Sequence, residues 1–365
     1  MTGGGTAGHI NPAIAIANTI KKNIPNADIA FVGTKKGLEN KLVVNEGYHL
    51  YHVDIMGISR SLSLKNVKAA ILMITSQFQA KKIIEEFKPD IVIGTGGYVC
   101  WPALKVASKM GIPTAVHESN ARPGLAIRQL QGSLDRIFVN FKDTENYITN
   151  KDAVMHVGNP LRSGFGGLDY HEARRTLGIA EDKTYVLSFG GSLGAQKINE
   201  ISFDFMNTRA KGNASIIYHH ATGNRDWAEF SEKFERAGLL EHPNLSMVEY
   251  IHDMALRMSA ADIVICRAGA MTISELAMMK KACIIIPSPN VVDNHQYKNA
   301  KVLADADAAV MLEEKDLTEE KFVSTLLDLI KNKEKRQMLS ENIARFANTD
   351  ANKLIFDEIM RLAGK

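Results

Sequence analysis

The sequence predicts an α/β protein of two doubly wound parallel-sheet domains in tandem, and three observations predict it. Its 365 residues exceed one ordinary domain at roughly 100–200 residues each. Short runs rich in Ile and Val alternate with helical patterns along the chain. Gly-rich turns stand at the strand-to-helix junctions.

The predicted strands are 28–32, 90–94, 114–117, 136–140, 184–189, 215–219, 246–249, 262–266 and 283–287. They are uniformly apolar, the pattern of parallel strands covered on both faces. Predicted helices between them include 12–20, 65–87, 102–110, 198–209 and 273–279, and 341–363 forms a last helix with no strand after it. The boundary falls at His156-Val157-Gly158-Asn159-Pro160-Leu161-Arg162, where Gly and Pro punctuation reads as a hinge before the Gly-rich stretch 163–167. We therefore expect domains at 1–160 and 161–344, with a helix near 345–365 packing back on the first.

Composition narrows the class. Hydrophobic residues make up 45% and charged residues 23%, too apolar a balance for a disordered chain. No run approaches the ~18 consecutive apolar residues of a membrane span. Met1-Thr2-Gly3-Gly4-Gly5 has neither the basic region nor the apolar core of a signal peptide. Cys100, Cys266 and Cys283 lack metal-ligand spacing and suit a reducing cytosol. Residues 1–160 carry 18 basic and 12 acidic side chains, the remainder 26 and 29, so the net charge of +3 divides into +6 and −3. A basic first half hints at an anionic partner, although surface variation alone could produce it.

The Gly turns carry the chemical signal. They are Gly3-Gly4-Gly5-Thr6-Ala7-Gly8-His9, Gly94-Thr95-Gly96-Gly97-Tyr98, and Gly190-Gly191-Ser192-Leu193-Gly194-Ala195. Glycine lets backbone approach a ligand, and a following helix start offers N–H groups and partial positive charge to phosphate. One such turn can be purely structural. Three at the carboxyl ends of parallel strands mark a ligand site. Gly3, Gly5 and Gly8 also satisfy the dinucleotide pattern G-x-G-x-x-G, but Asp28 begins its predicted strand instead of ending it, the wrong place for a ribose ligand. In the second half, Arg267-Ala268-Gly269-Ala270-Met271-Thr272-Ile273-Ser274-Glu275 follows the strand 262–266. Glu275 is expected in the first helical turn, either offsetting the helix dipole or accepting ribose hydroxyls. Asp293-Asn294-His295-Gln296 forms a surface loop or supplies polar groups to a sugar.

Taken in order, these segments resemble the MurG family of bacterial glycosyltransferases. The matching stretches are GGGTAGHINP (3–12), GTGGYV (94–99), HESN with RPG (117–124), GNPLR (158–162), GGSLGA (190–195), CRAGAMTISE (266–275) and HQYKNA (295–300). The resemblance implies a GT-B architecture, two Rossmann-like domains facing across a cleft. It also implies transfer of N-acetylglucosamine from UDP-N-acetylglucosamine to the 4-hydroxyl of a muramyl-pentapeptide on undecaprenyl pyrophosphate, with inversion at the anomeric carbon. By motif, the implied donor contacts are Thr6, Ala7, Gly8, Asn120, Arg162, Ser192, Ile251, Ala270, Met271, Thr272, Ile273, Ser274, Glu275 and Gln296. Gly5, Gly8, Gly96, Gly97 and Tyr98 correspond to an acceptor-pyrophosphate set. His9 is the candidate general base, or else a phosphate anchor, with His117 and Glu118 the next candidates for base or positioning roles. No cofactor and no protein-bound metal are expected. The implied partners are the two substrates, an anionic inner membrane surface and cell-wall and division proteins, without nucleic acid, at the cytoplasmic face of the membrane. Two other readings stay open: a GT-B enzyme using a UDP-sugar with another lipid acceptor, and a non-catalytic UDP-sugar-binding scaffold.

The chain departs from the family pattern twice. A short strand normally precedes the first Gly turn, so the N-terminal sheet is expected to lack its central strand. Ser119 stands where Gln is common. Finally, Val67, Ile71, Ile74 and Phe78 recur at helical spacing, thickened by Ala70, Leu72 and Met73 and flanked by Lys65, Lys68, Lys81 and Lys82. Most of that stripe is expected to face the core, with a partly exposed patch left to meet an anionic membrane.

Overall fold

A computed structural model describes residues 1–57, 64–161, 164–191 and 193–365. The chain divides into two compact units, Met1–Arg162 with Asn348–Lys365, and Ser163–Ala347.

The first unit contains strands β1 (Ala30–Gly33), β2 (His49–His52), β3 (Val92–Gly94), β4 (Thr114–Glu118), β5 (Arg136–Val139) and β6 (Val154–His156). Its helices are α1 (Ala7–Asn23), α2 (Glu39–Asn45), α3 (Leu64–Phe87), α4 (Cys100–Lys109) and α5 (Leu125–Leu130). Strands β3-β4-β5-β6 form one parallel sheet, and β1-β2 form a parallel pair. Thr2 joins them by parallel bridges to Val32 and Gly94. Val32 N–H donates to Met1 O (2.9 Å), and Thr2 N–H donates to Ile93 O (2.8 Å). Met1-Thr2 therefore occupies the central position where a strand was expected to be missing. A cavity of about 460 Å³ lined by Met1, Ile29, Ile84 and Ile91 lies beside it.

The second unit contains β7 (Thr184–Phe189), β8 (Ile216–Ala221), β9 (Leu245–Val248), β10 (Ile263–Cys266), β11 (Ala282–Ile285) and β12 (Val310–Met311). They form one parallel sheet in the order β12-β11-β10-β7-β8-β9. Its helices are α6 (Tyr170–Leu177), α7 (Gln196–Phe205), α8 (Trp227–Arg236), α9 (Met254–Ala260), α10 (Ala270–Met278), α11 (His295–Ala304), α12 (Glu319–Lys331) and α13 (Lys333–Ala344). The last helix, α14 (Ala351–Leu362), returns to the first unit. Its Ile355 and Ile359 pack with Ile16, Ile93 and Phe138, and Arg136 pairs with Glu358 at 2.5 Å.

Three differences from the sequence reading have physical causes. Strands β2, β6 and β12 were not predicted. They are two to four residues long and partly exposed at sheet edges, too short to show a strand pattern of their own. Helix α1 starts five residues before the predicted 12–20, because Pro12 within the second turn removes only one hydrogen bond. His9 consequently belongs to the helix's first turn. The stripe on α3 is inverted: Val67, Ile71, Ile74 and Phe78 are 58–71% exposed, while Ala69, Ser76, Ala80 and Ile84 are buried. Small residues bring this helix close against α4, which leaves its large apolar side chains in solvent.

Candidate active site

The first two Gly turns form one interlocked piece. Gly96 and Gly97 have φ of +105° and +81°. A Cβ would sit 2.6 Å from the His9 ring at Gly96 and 2.4 Å from Gly4 O at Gly97, so side chains are excluded at both. Thr95 Oγ1 donates to His9 O (2.6 Å), tying the start of α1 to the end of β3. His9 Nδ1 lies 3.2 Å from Gly4 O and 3.3 Å from Thr6 Oγ1. A carbonyl can only accept, so Nδ1 carries the hydrogen and Nε2 is the basic nitrogen. Thr6 precedes the helix in extended conformation, and Ala7 and Gly8 supply its first amides. Tyr98 lies over Gly5, 3.7 Å from where a Cβ would be.

Gly5 requires a correction. Its amide, expected to face pyrophosphate, donates to Glu39 Oε2 at 3.3 Å. Glu39 is 1% exposed, and its other oxygen accepts from Thr34 N–H and Thr34 Oγ1, each at 2.8 Å. Sequence reasoning missed this residue. Its signal was an acid opening a helix just after Gly33-Thr34-Lys35-Lys36-Gly37.

Glu118 also differs from expectation. It is 4% exposed, and its oxygens accept from Asn120 N–H (2.9 Å), Asn120 Nδ2 (3.0 Å) and Gly124 N–H (2.7 Å). Burial raises its pKa against the pull of those donors. A carboxylate so committed anchors the loop carrying Asn120; it is not placed as a base. His117 is fully buried and donates through Nε2 to Gly158 O (2.8 Å), and burial lowers its pKa to about 4. It too is structural.

In the second unit, the motif residues gather at strand ends and helix starts. Ala195 leads into α7, and Gly269, extended, leads into α10. Ala270, Met271 and Thr272 make the first turn of α10. Ile273 is buried and its N–H donates to Gly269 O (2.9 Å), so it offers neither side chain nor amide to a donor. Ser274 is buried, and Glu275 is half-buried in the second turn, not the first as expected. Ile251 has a buried side chain, so any contact runs through its backbone. Gln296 Oε1 accepts from Ser288 N–H (2.9 Å), which assigns the amide's donor role to Nε2. Arg267 holds the turn before α10 through Ile286 O (3.2 Å) and Glu314 (2.5 Å). Arg162 and Ser192 lie outside the described residues.

The sequence has one Asp-x-Asp, Asp305-Ala306-Asp307, which follows α11, with Asp305 paired to Lys301 at 2.8 Å. Among the described residues, no group of three or more His, Cys, Asp and Glu side chains is arranged to hold a metal.

Residues 1–139 match the glycosyltransferase family 28 N-terminal domain, and residues 185–355 match the family's C-terminal domain. A relative from Acetivibrio thermocellus is 40% identical over 359 residues, covering 98% of this chain and 96% of its own length. The chain belongs to glycosyltransferase family 28. That relative is named UDP-N-acetylglucosamine--N-acetylmuramyl-(pentapeptide) pyrophosphoryl-undecaprenol N-acetylglucosamine transferase. A relative of the same name from Ruminiclostridium cellulolyticum is 41% identical over 362 residues, covering 99% of both chains. The crystal structure of Acinetobacter baumannii MurG superimposes with a TM-score of 0.77 at 27% identity, covering 99% of this chain and 98% of that one. This family 28 member is therefore a glycosyltransferase with the two-domain α/β fold of the GT-B class.

Proposed function

We propose that this protein is an inverting N-acetylglucosaminyltransferase, moving N-acetylglucosamine from UDP-N-acetylglucosamine to the 4-hydroxyl of muramyl-pentapeptide-pyrophosphoryl-undecaprenol. The observation that carries the chemistry is the Gly4 carbonyl 3.2 Å from His9 Nδ1, in a chain that a relative of that name matches over 98% of its length. His9 Nε2 takes the proton of the acceptor hydroxyl as its oxygen attacks the anomeric carbon. The bond from that carbon to the donor diphosphate breaks, and UDP departs with the negative charge. Helix starts at α7 and α10 stabilise this charge, joined by Arg162 and Ser192 on motif grounds alone. Thr272 and Glu275 serve phosphate and ribose, Ile251 presents backbone to uracil, and Gln296 and Asn120 offer amides to the sugar. Proton NMR of the product tests the stereochemistry: a β-linked N-acetylglucosamine is expected, and an α-linkage contradicts direct displacement.

The exposed stripe of α3 supports a peripheral seat on an anionic membrane. Val67, Ile71, Ile74 and Phe78 project together, with Lys68, Lys81 and Lys82 exposed beside them. No helix among the described residues is long and apolar enough to cross a membrane. Replacing Ile71 and Phe78 with serine should weaken binding to anionic vesicles by at least about tenfold, with turnover on a detergent-dispersed acceptor unchanged. Unaltered vesicle binding would place the membrane contact elsewhere.

A further inference from the structure

Beneath the third Gly turn runs a chain of side chains that never reaches the surface. Tyr218, Ser202, Ser188, His220 and Asn199 are all 0% exposed. Tyr218 OH donates to Ser202 Oγ (3.2 Å), and Ser202 Oγ to Ser188 Oγ (3.3 Å). Ser188 Oγ lies 2.7 Å from His220 Nδ1, and His220 Nε2 lies 3.0 Å from Asn199 Oδ1. Asn199 Nδ2 donates to Thr222 O (3.0 Å) and to Asp226 Oδ2 (2.8 Å).

The direction of this chain is forced from its far end. Thr222 O and the Asp226 carboxylate can only accept, so they fix which way the Asn199 amide faces. Its oxygen then requires a hydrogen on His220 Nε2. Burial first, and the neighbouring His219 second, lower the His220 pKa to about 3, so the ring is neutral and Nδ1 accepts from Ser188. Ser188 and Ser202 each give one hydrogen and take one, and the chain starts at Tyr218, which gives one. A fully satisfied buried network of this kind selects a single arrangement of the elements it joins.

What it joins is the wall behind Gly194. Ser188 is the last residue but one of β7, His220 the last but one of β8, and Asn199 sits in the opening of α7, where its N–H donates to Ala195 O (3.0 Å). Gly194 rests directly on the carbonyl that Asn199 grips: a Cβ there would lie 2.1 Å from Thr222 O. Gly223 is equally close, with a Cβ position 2.1 Å from Gly194 N. Gly194 and Gly223 have φ of +85° and +78°, so the two turns meet backbone to backbone.

We propose that Ser188, His220 and Asn199 are positioning residues that set Gly194 and the start of α7 for the donor diphosphate, an inference resting on the donor assignment above. None of them touches the ligand. Their effect passes through Asn199 to Thr222 O, and from there to Gly194.

Two substitutions at one position separate this role from packing. His220→Gln keeps an N–H near the place of Nε2, facing Asn199. His220→Asn keeps an acceptor near Nδ1, facing Ser188, but removes the N–H. In calorimetry with UDP on the full chain, below the melting temperature of each variant, His220→Asn should raise Kd by about tenfold or more. His220→Gln should stay close to the unaltered protein, and the acceptor KM should hold in both. Equal weakening by both variants, or no weakening by His220→Asn, overturns the proposal. Should His220→Asn not fold, long-range proton–nitrogen NMR on the unaltered protein decides the direction. The Nε2–H tautomer is expected, and the Nδ1–H tautomer overturns it. Failure of the unaltered protein to bind UDP at all would instead overturn the donor assignment.

Discussion

Substituting His9 with alanine lowers kcat by about 10²–10⁴-fold, the usual contribution of general-base catalysis, and leaves UDP affinity near that of the unaltered protein. His9 sits in the first turn of α1, and its Nδ1–H faces the Gly4 carbonyl, so in the neutral ring the lone pair lies on Nε2, the atom proposed to take the proton. The competing role is anchorage of the acceptor phosphate, which would raise the acceptor KM and leave kcat largely intact. The pH profile separates the two further. A base that must be neutral gives kcat an acidic limb, and that limb should vanish in His9→Ala. A variant that keeps both kcat and limb shows that another group takes the proton. Glu118 and His117 are poor replacements, since the first is committed to three N–H donors and the second is buried.

Glu275→Ala is expected to raise the UDP Kd by roughly 10- to 150-fold, the equivalent of losing a charged hydrogen bond of about 1.5–3 kcal/mol. Glu275 lies in the second turn of α10, one turn beyond Thr272. This spacing separates it from the helix-start amides proposed to face phosphate, as a ribose ligand requires. A group that only offset the helix dipole would contribute about 0.3–1 kcal/mol and would change stability more than nucleotide affinity. Calorimetry returning an unchanged Kd removes the ribose assignment.

The parallel sheets were legible because their central strands are apolar on both faces: Thr184–Phe189 matches its predicted bounds residue for residue. The edge strand His49–His52 was not, since three of its four residues are aromatic or imidazole rings and half of it is exposed. The α3 stripe was legible as a periodicity but not as a direction. Hydrophobic spacing says which residues share a face, and only the small residues opposite, Ala69, Ser76 and Ala80, say which face packs. At the site, the Gly turns announced themselves by composition. Glu39 and the His220 chain did not, because their partners are 34 and 21 residues away at Gly5 and Asn199. Buried polar side chains of this sort look like ordinary sequence until the fold brings them together.

The central claim is that donor cleavage is coupled to one acceptor. The direct measurement is UDP release from UDP-N-acetylglucosamine by the full chain, with and without a muramyl-pentapeptide pyrophosphoryl lipid. Release that depends on this acceptor and yields a disaccharide-bearing lipid is expected. UDP binding without turnover on it, or turnover only on a lipid lacking the muramyl sugar, would contradict that coupling.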